Sequence, residues 1–307
     1  MSDLNFGDCI GCGLCILGCP AYEETGFDAL TARGRNKALQ SGLGAEDMVE
    51  AIWACTLCGY CDAICPSDVH NVKIVLQLRR ELAARLGSTA EDAEINIGKT
   101  HATAPAPSEA ASRVEQRALV LGCTIRDRAA HLIPSIEEFL RRVGRPSGPA
   151  DHGCCGSLEV EAGRAMPARV RAGVVADPVC LEQYDAEFLG LLAMQHLDLF
   201  ELKSPFYYYA PHRIVNRDHA RAYPLYDALR RRSGCDMNID LNRLARSTSA
   251  GSVQGLSGRN ARDIPAAVAR LLAHSRAERI ITCSPADYLA FKRYSGRETL
   301  FITECLR

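Results

Sequence analysis

The chain has almost no surplus of charge: 36 Lys and Arg stand against 37 Asp and Glu, leaving −1 over 307 residues. Nucleic acid and anionic membrane surfaces select a basic excess, so neither is expected as a partner. Long apolar runs are also missing. The most apolar stretch, "FLGLLAMQHLDLF" at 188–200, is too short to cross a bilayer and is interrupted by Gln195, His196 and Asp198. The opening "MSDLNFGD" has neither a basic start nor an apolar core, so no secretory leader is expected. The expected location is cytoplasmic, with any membrane association made through partners. No G-x-G-x-x-G opens a helix after a strand, so the flavin and nicotinamide fingerprints are absent and hydride chemistry is expected on another chain. Cysteine, by contrast, is abundant, with 15 in a chain long enough to build two hydrophobic cores. In a reducing compartment such thiols serve as metal ligands or redox groups rather than disulfides.

Cys9, Cys12, Cys15 and Cys19 fall on the spacing C-x2-C-x2-C-x3-C-P, and Cys55, Cys58, Cys61 and Cys65 repeat it, proline included. A 4Fe-4S cubane takes one thiolate per iron. Three close cysteines cap three corners, the fourth ligand comes from elsewhere, and two such runs can exchange their fourth ligands. This assigns Cys9, Cys12, Cys15 and Cys65 to one cluster, and Cys55, Cys58, Cys61 and Cys19 to the other. Glycines at 11, 13 and 59 allow backbone to pass close to inorganic sulfide, and Pro20 and Pro66 turn the chain away. Zinc also takes four thiolates, but its sites are built from two separated C-x2-C pairs rather than triplets with a trailing C-P. After the second run, Val75, Leu78, Leu82 and Leu86 recur at helical spacing, with Ser67 expected to cap the helix and Gly87 to end it.

Residues 1 to about 86 resemble the helical two-cluster ferredoxin domain of heterodisulfide reductase and of the iron-sulfur subunits of glycerol-3-phosphate dehydrogenase and glycolate oxidase. The R-G-R between that domain's cysteine runs recurs as Arg33, Gly34 and Arg35. Both arginines are expected as solvated surface residues, with hydrogen bonding to a cluster or docking of a partner as the alternative. A ferredoxin domain is thus expected over 1–87. Residues 88–116, with their small residues and prolines, read as a linker, and a second domain spans 117–307.

In that second part "RALVLGC" reads as a buried strand delivering Cys123, followed by an amphipathic helix with Ile136, Leu140 and Val143 on one side. "HGCCG" places Cys154 and Cys155 side by side, and "GVVADPVC" is a further strand ending in Asp177 and Cys180. The set resembles the cysteine-rich CCG domain of heterodisulfide reductase, whose pattern is Cys, then C-C-G, then C-x-x-C. Asp177 stands in place of the first cysteine of the last pair. That domain is a duplication, which implies a first copy at about 117–203 and a degenerate second at about 204–307. In the second copy His212 replaces the first cysteine, Ser249, Ala250 and Gly251 replace C-C-G, and Cys283 survives with Ala286 opposite. Cys235 and Cys305 match nothing.

The expected fold class is therefore multidomain: an all-α two-cluster ferredoxin domain followed by an α/β duplicated CCG-type domain. The expected cofactors are two 4Fe-4S clusters. A third centre at Cys123, Cys154, Cys155 and Cys180 stays open between a noncubane iron-sulfur cluster, zinc with Asp177 or His152 nearby, and no metal. The expected role is an electron-transfer subunit of a multi-subunit oxidoreductase, relaying single electrons between a flavoprotein or other dehydrogenase and a quinone-side or disulfide acceptor, with a membrane quinone-reducing subunit among the partners the resemblance implies. Two alternatives remain: a thiol-disulfide reductase acting at Cys154 and Cys155, and a redox-sensing or scaffold subunit.

Overall fold

The structure is a computed structural model and describes residues 4–86, 119–145, 155–163, 169–203, 205–239 and 263–307. The N-terminal region is helical. Cys19 is followed at once by α1 (Pro20–Thr25), with proline at its first position, where no N–H is needed. Thr31 caps α2 (Ala32–Gln40) by accepting from the Gly34 N–H at 3.2 Å. Then come α3 (Val49–Trp53), α4 (Tyr60–Ala63) and the long α5 (Asn71–Leu86). Ile74, Val75, Leu78 and Leu82 of α5 bury their side chains against Met48, Ala51 and Ile52, so the predicted apolar stripe is the core face of this region. Ser67 does not cap α5. The helix begins at Asn71, and the Asp62 carboxylate, from α4, accepts from the Val72 N–H at 3.2 Å. Gly87 lies outside the described residues, as does the expected linker at 88–116.

An α/β region follows. Its first parallel sheet has the order β1-β2-β3, from β1 (Leu119–Val120), β2 (Val170–Val175) and β3 (Tyr184–Phe188), with Val120 opposite Val175 and Val175 opposite Phe188. Parallel neighbours need crossovers, and helices α6 (Cys123–Arg128), α7 (Ile133–Arg142) and α8 (Ser157–Glu161) lie between β1 and β2. Ile136 and Leu140 of α7 are buried in the core, and Val143 packs beside them as predicted. Helix α9 (Leu189–Gln195) leads to the second sheet. That sheet contains β4 (Tyr207–Tyr209), β5 (Asp236–Met237), β6 (Arg279–Thr282) and β7 (Glu298–Phe301), all parallel in the order β5-β4-β6-β7. Helices α10 (His212–Arg217) and α11 (His219–Ser233) follow β4, α12 (Ile264–Leu272) precedes β6, and α13 (Pro285–Tyr294) follows it.

One apolar core joins the two sheets. Leu119, Val174 and Phe188 of the first share it with Tyr208, Ile281 and Phe301 of the second, and α9 is buried between them. Gly190 of α9 is needed for this approach: a Cβ there would lie 2.3 Å from Cys283 Sγ. The carboxyl ends of β1, β2, β4 and β6 carry Cys123, Asp177, His212 and Cys283 in the segments that follow them, the end of a parallel sheet where ligands ordinarily gather. From there α10 packs on α4, and α8 packs on α5.

Candidate functional site

The two cysteine runs fold into two loops of matching conformation. Gly13 and Gly59 precede the helical turns that carry Cys15 and Cys61, with φ of 84° and 79°, left-handed values that favour glycine. Two residues earlier the match continues, with Gly11 at φ 74° and Leu57 at φ 54°. Leu57 takes a conformation uncommon for a side chain of its kind, at the position where the first loop has glycine. Each loop bounds an open space. Cys9, Cys12 and Cys15 line one together with Cys65, from the far end of the second run. Cys55, Cys58 and Cys61 line the other together with Cys19, from the far end of the first. Cys15 and Cys61 border both spaces.

Polar side chains hold the loop carbonyls. In the first loop Lys37 Nζ donates to the Cys9 carbonyl at 3.2 Å and Arg33 Nε to the Gly11 carbonyl at 3.1 Å, with Asp28 paired to the same guanidinium. In the second, Arg79 donates to the Cys55 carbonyl at 2.6 Å, Arg217 to the Leu57 carbonyl at 2.8 Å and Asn216 to the Cys58 carbonyl at 3.1 Å. Glu182 is paired to Arg217. The R-G-R expectation is corrected for Arg35, which is only 3 % exposed and donates to the Leu30 and Ala51 carbonyls at 2.8 and 2.9 Å. The Arg33 side chain stays 38% exposed while its Nε is tied to the first loop, and Arg33 lines the first space and Arg35 the second. Gly34 between them lets α2 press on the preceding turn. A Cβ at 34 would lie 2.4 Å from the Asp28 carbonyl oxygen.

The electrostatics suit a metal cluster. Burial pushes the Cys15 thiol up to about 11 and the Cys58 thiol to about 12, and raises Cys19 and Cys61 as well, with neighbouring thiols adding to the shift. Without a cation in the cradle, these sulfurs keep their protons. A metal group held there by these cysteines would supply the charge that stabilises the thiolates. The shape selects the kind of group. A single zinc draws four sulfurs to within about 2.3 Å of one point, yet no three Cys, His, Asp or Glu among the described residues converge to hold one ion. Sulfurs drawn from both runs round each space, rather than converging on one point, fit a group with several irons.

The family of 4Fe-4S dicluster domains matches residues 5–69. The N-terminal region is a 4Fe-4S dicluster domain. Its relatives are redox subunits. The chain is 34% identical over 85 residues to a subunit C2 of the H2/formate:CoB-CoM heterodisulfide, ferredoxin reductase of Methanococcus maripaludis, covering 27% of this chain and 43% of the relative. It is 33% identical over 78 residues to a probable glycolate oxidase iron-sulfur subunit of Bacillus subtilis, covering 24% and 18%. It is 30% identical over 83 residues to a fumarate reductase iron-sulfur subunit of Escherichia coli, covering 24% and 34%. The aligned stretch thus spans less than half of each of these relatives. No helix among the described residues is long and apolar enough to cross a membrane.

Beyond the dicluster domain, the residues singled out in the sequence have mixed placements. Cys123 and Cys180 follow β1 and β2 beyond the carboxyl end of the first sheet, and Cys155 starts the segment leading into α8, but among the described residues no three Cys, His, Asp or Glu converge there to hold one ion. A Cβ on Gly122 would lie 3.3 Å from Cys180 Sγ, and Cys155 Sγ is 3.1 Å from Ser157 Oγ, which in turn donates to the Val179 carbonyl at 2.9 Å. Asp177 is buried there. Its carboxylate accepts from the Val179 N–H at 3.1 Å, capping the turn that bears Cys180, and burial holds its pKa up. His212 is buried at the start of α10, and Cys283 is fully buried with its Sγ 3.3 Å from the Tyr208 hydroxyl. Cys154, His152 and Ser249, Ala250 and Gly251 lie outside the described residues. Sequence reasoning did not single out Arg79, Asn216 or Arg217. Nothing local marks them, because each acts on a loop remote in sequence.

Proposed function

We propose that the chain is the electron-relay subunit of a larger oxidoreductase, holding two 4Fe-4S clusters with exchanged fourth ligands: Cys9, Cys12, Cys15 and Cys65 for one, Cys55, Cys58, Cys61 and Cys19 for the other. The observation that carries this reading is the crossing itself, since Cys65 lines the first loop's cavity and Cys19 the second's. Clusters bound there would supply one-electron redox chemistry without making or breaking substrate bonds. The residues of the chain do the rest. The cysteines fix position, the side-chain-held carbonyls orient the loops, and the apolar core beneath α5 keeps water from one side.

Exposure differs between the loops. Cys12 is exposed, and Ile10 and Leu17 beside it are 69% and 71% exposed, whereas Cys58 is buried under α10. The relay is therefore read with the first loop as the face where electrons are exchanged with a flavoprotein or other redox subunit. Its apolar rim is the kind of surface such a contact buries. We extend the reading to the remainder of the chain as a duplicated CCG-type domain, a view supported by the two parallel sheets, each with chemistry-bearing residues beyond its strand ends. The test is a serine scan read by electron paramagnetic resonance on the reduced, anaerobically reconstituted chain. Cys65→Ser and Cys12→Ser are expected to perturb the same signal, and Cys19→Ser and Cys58→Ser the other. Pairing of Cys65 with Cys58 instead would overturn the crossing. Iron and zinc counts on the wild type also decide the third centre at Cys123, Cys154, Cys155 and Cys180.

A further inference from the structure

The two loops are held by equivalent contacts from different sources. In the first, the carbonyl at the opening cysteine (Cys9) is held by Lys37, and the carbonyl two residues on (Gly11) by Arg33, which is itself anchored by Asp28. All of these belong to the dicluster domain. In the second loop the opening carbonyl (Cys55) is held by Arg79 of α5. The carbonyl two residues on (Leu57) is held by Arg217, anchored by Glu182, and both of these belong to the α/β region some 120 to 160 residues downstream. Asn216 adds a donor to the Cys58 carbonyl at 3.1 Å. Arg79 joins the regions from the other side, its Nη1 donating to the Glu161 carbonyl at 2.7 Å while Nη2 also reaches the Ile52 carbonyl at 3.2 Å, and Glu161 pairs with Arg213 of α10 at 2.6 Å with both side chains buried. Gly59 is in contact with the clamp, since a Cβ there would lie 3.2 Å from Arg217 Cγ.

We propose that Arg217, with Asn216, is the counterpart of Arg33: a positioning residue, lent by the α/β region, that completes the cradle of the Cys55, Cys58 and Cys61 loop and sets the reduction potential of the cluster held there. The inference rests on the two-cluster reading above. Its physical basis is the planar trans peptide, in which a carbonyl and the following N–H point to opposite sides. Holding the Leu57 and Cys58 carbonyls against α10 turns the N–H groups of Cys58 and Gly59 the other way, towards the cavity that both residues line. N–H groups aimed at cluster sulfur stabilise the more negative, reduced state and raise the potential. The α/β region then serves the second cluster directly, without needing a centre of its own.

The test is a redox titration of the reconstituted full chain, followed by electron paramagnetic resonance. Arg217→Gln is expected to keep both clusters and to lower the potential of one of them, making its reduction at least tenfold less favourable, or 59 mV for a one-electron couple. Arg33→Gln is expected to lower the other potential, and Arg217→Lys to recover part of the loss. If Arg217→Gln does not accumulate folded, Asn216→Leu removes one neutral donor and leaves the ion pairs in place, and a fall confined to the same cluster is expected. Unchanged potentials, or equal shifts of both clusters, in whichever variant is folded would overturn the proposal. A wild-type chain without two clusters would instead overturn the two-cluster reading, and iron and sulfide counts taken first separate the two failures.

Discussion

Gly34 has no room for a side chain, and that fact fixes two arginines. With a Cβ set 2.4 Å from the Asp28 carbonyl oxygen and 2.6 Å from Ala29 Cα, Gly34→Ala has to push α2 away from the turn before it. Such overpacking costs about 1–3 kcal/mol. The displacement also moves Arg33 off the Gly11 carbonyl, so the variant is expected to show a lower urea midpoint and a selective loss or shift of the first loop's cluster signal. A second prediction at this scale concerns protons. Burial holds the Cys283 thiol at about 12 against an ordinary value of 9.0. Below pH 9 the folded and unfolded chains both keep this proton. From pH 9 to about 12 only the unfolded chain releases it, so stability falls across that window. Urea unfolding at pH 8 and pH 10 is expected to show this fall, and Cys283→Ala to make it shallower.

At the scale of elements, the most legible features in the sequence are those written locally. The twin cysteine loops, over which the 4Fe-4S dicluster family matches, were readable because three thiols on one tight loop and the proline after the fourth are all constraints within a dozen residues. The α5 stripe was readable for the same reason. Leu78 is fully buried against α3, so Leu78→Ala is expected to cost about 2–5 kcal/mol, measured as a lower unfolding midpoint of the reconstituted protein. The start of α5 was not legible, because its cap comes from Asp62 across a chain reversal and not from Ser67 beside it. Arg35 was misread as solvated for a related reason. Arginine is ordinarily a surface residue, and only its partners in space, the carbonyls of Leu30 and Ala51, show otherwise.

At the scale of the whole molecule, the two regions are joined by buried charge. Arg213 and Glu161 are about 5% and 7% exposed at their side chains and lie 2.6 Å apart, and the Arg79 guanidinium bonds the backbone of both regions. Removing one partner of such a pair leaves an uncompensated buried charge, at a cost of about 3–5 kcal/mol. Arg213→Met is therefore expected to loosen α10 from α4, seen as faster amide exchange at Leu57, Cys58 and Gly59 with little change in the first loop. No sequence pattern announces this joint, because its members are separated by up to about 160 residues.

The account as a whole depends on the first 69 residues capturing two clusters. Iron and acid-labile sulfide counts on the anaerobically reconstituted full chain, taken with the electron paramagnetic resonance spectrum after reduction, test it most directly. The prediction is two four-iron clusters per chain with two distinguishable reduced signals. A colourless, iron-poor protein, or one that fills with zinc and shows no reducible centre, would contradict it.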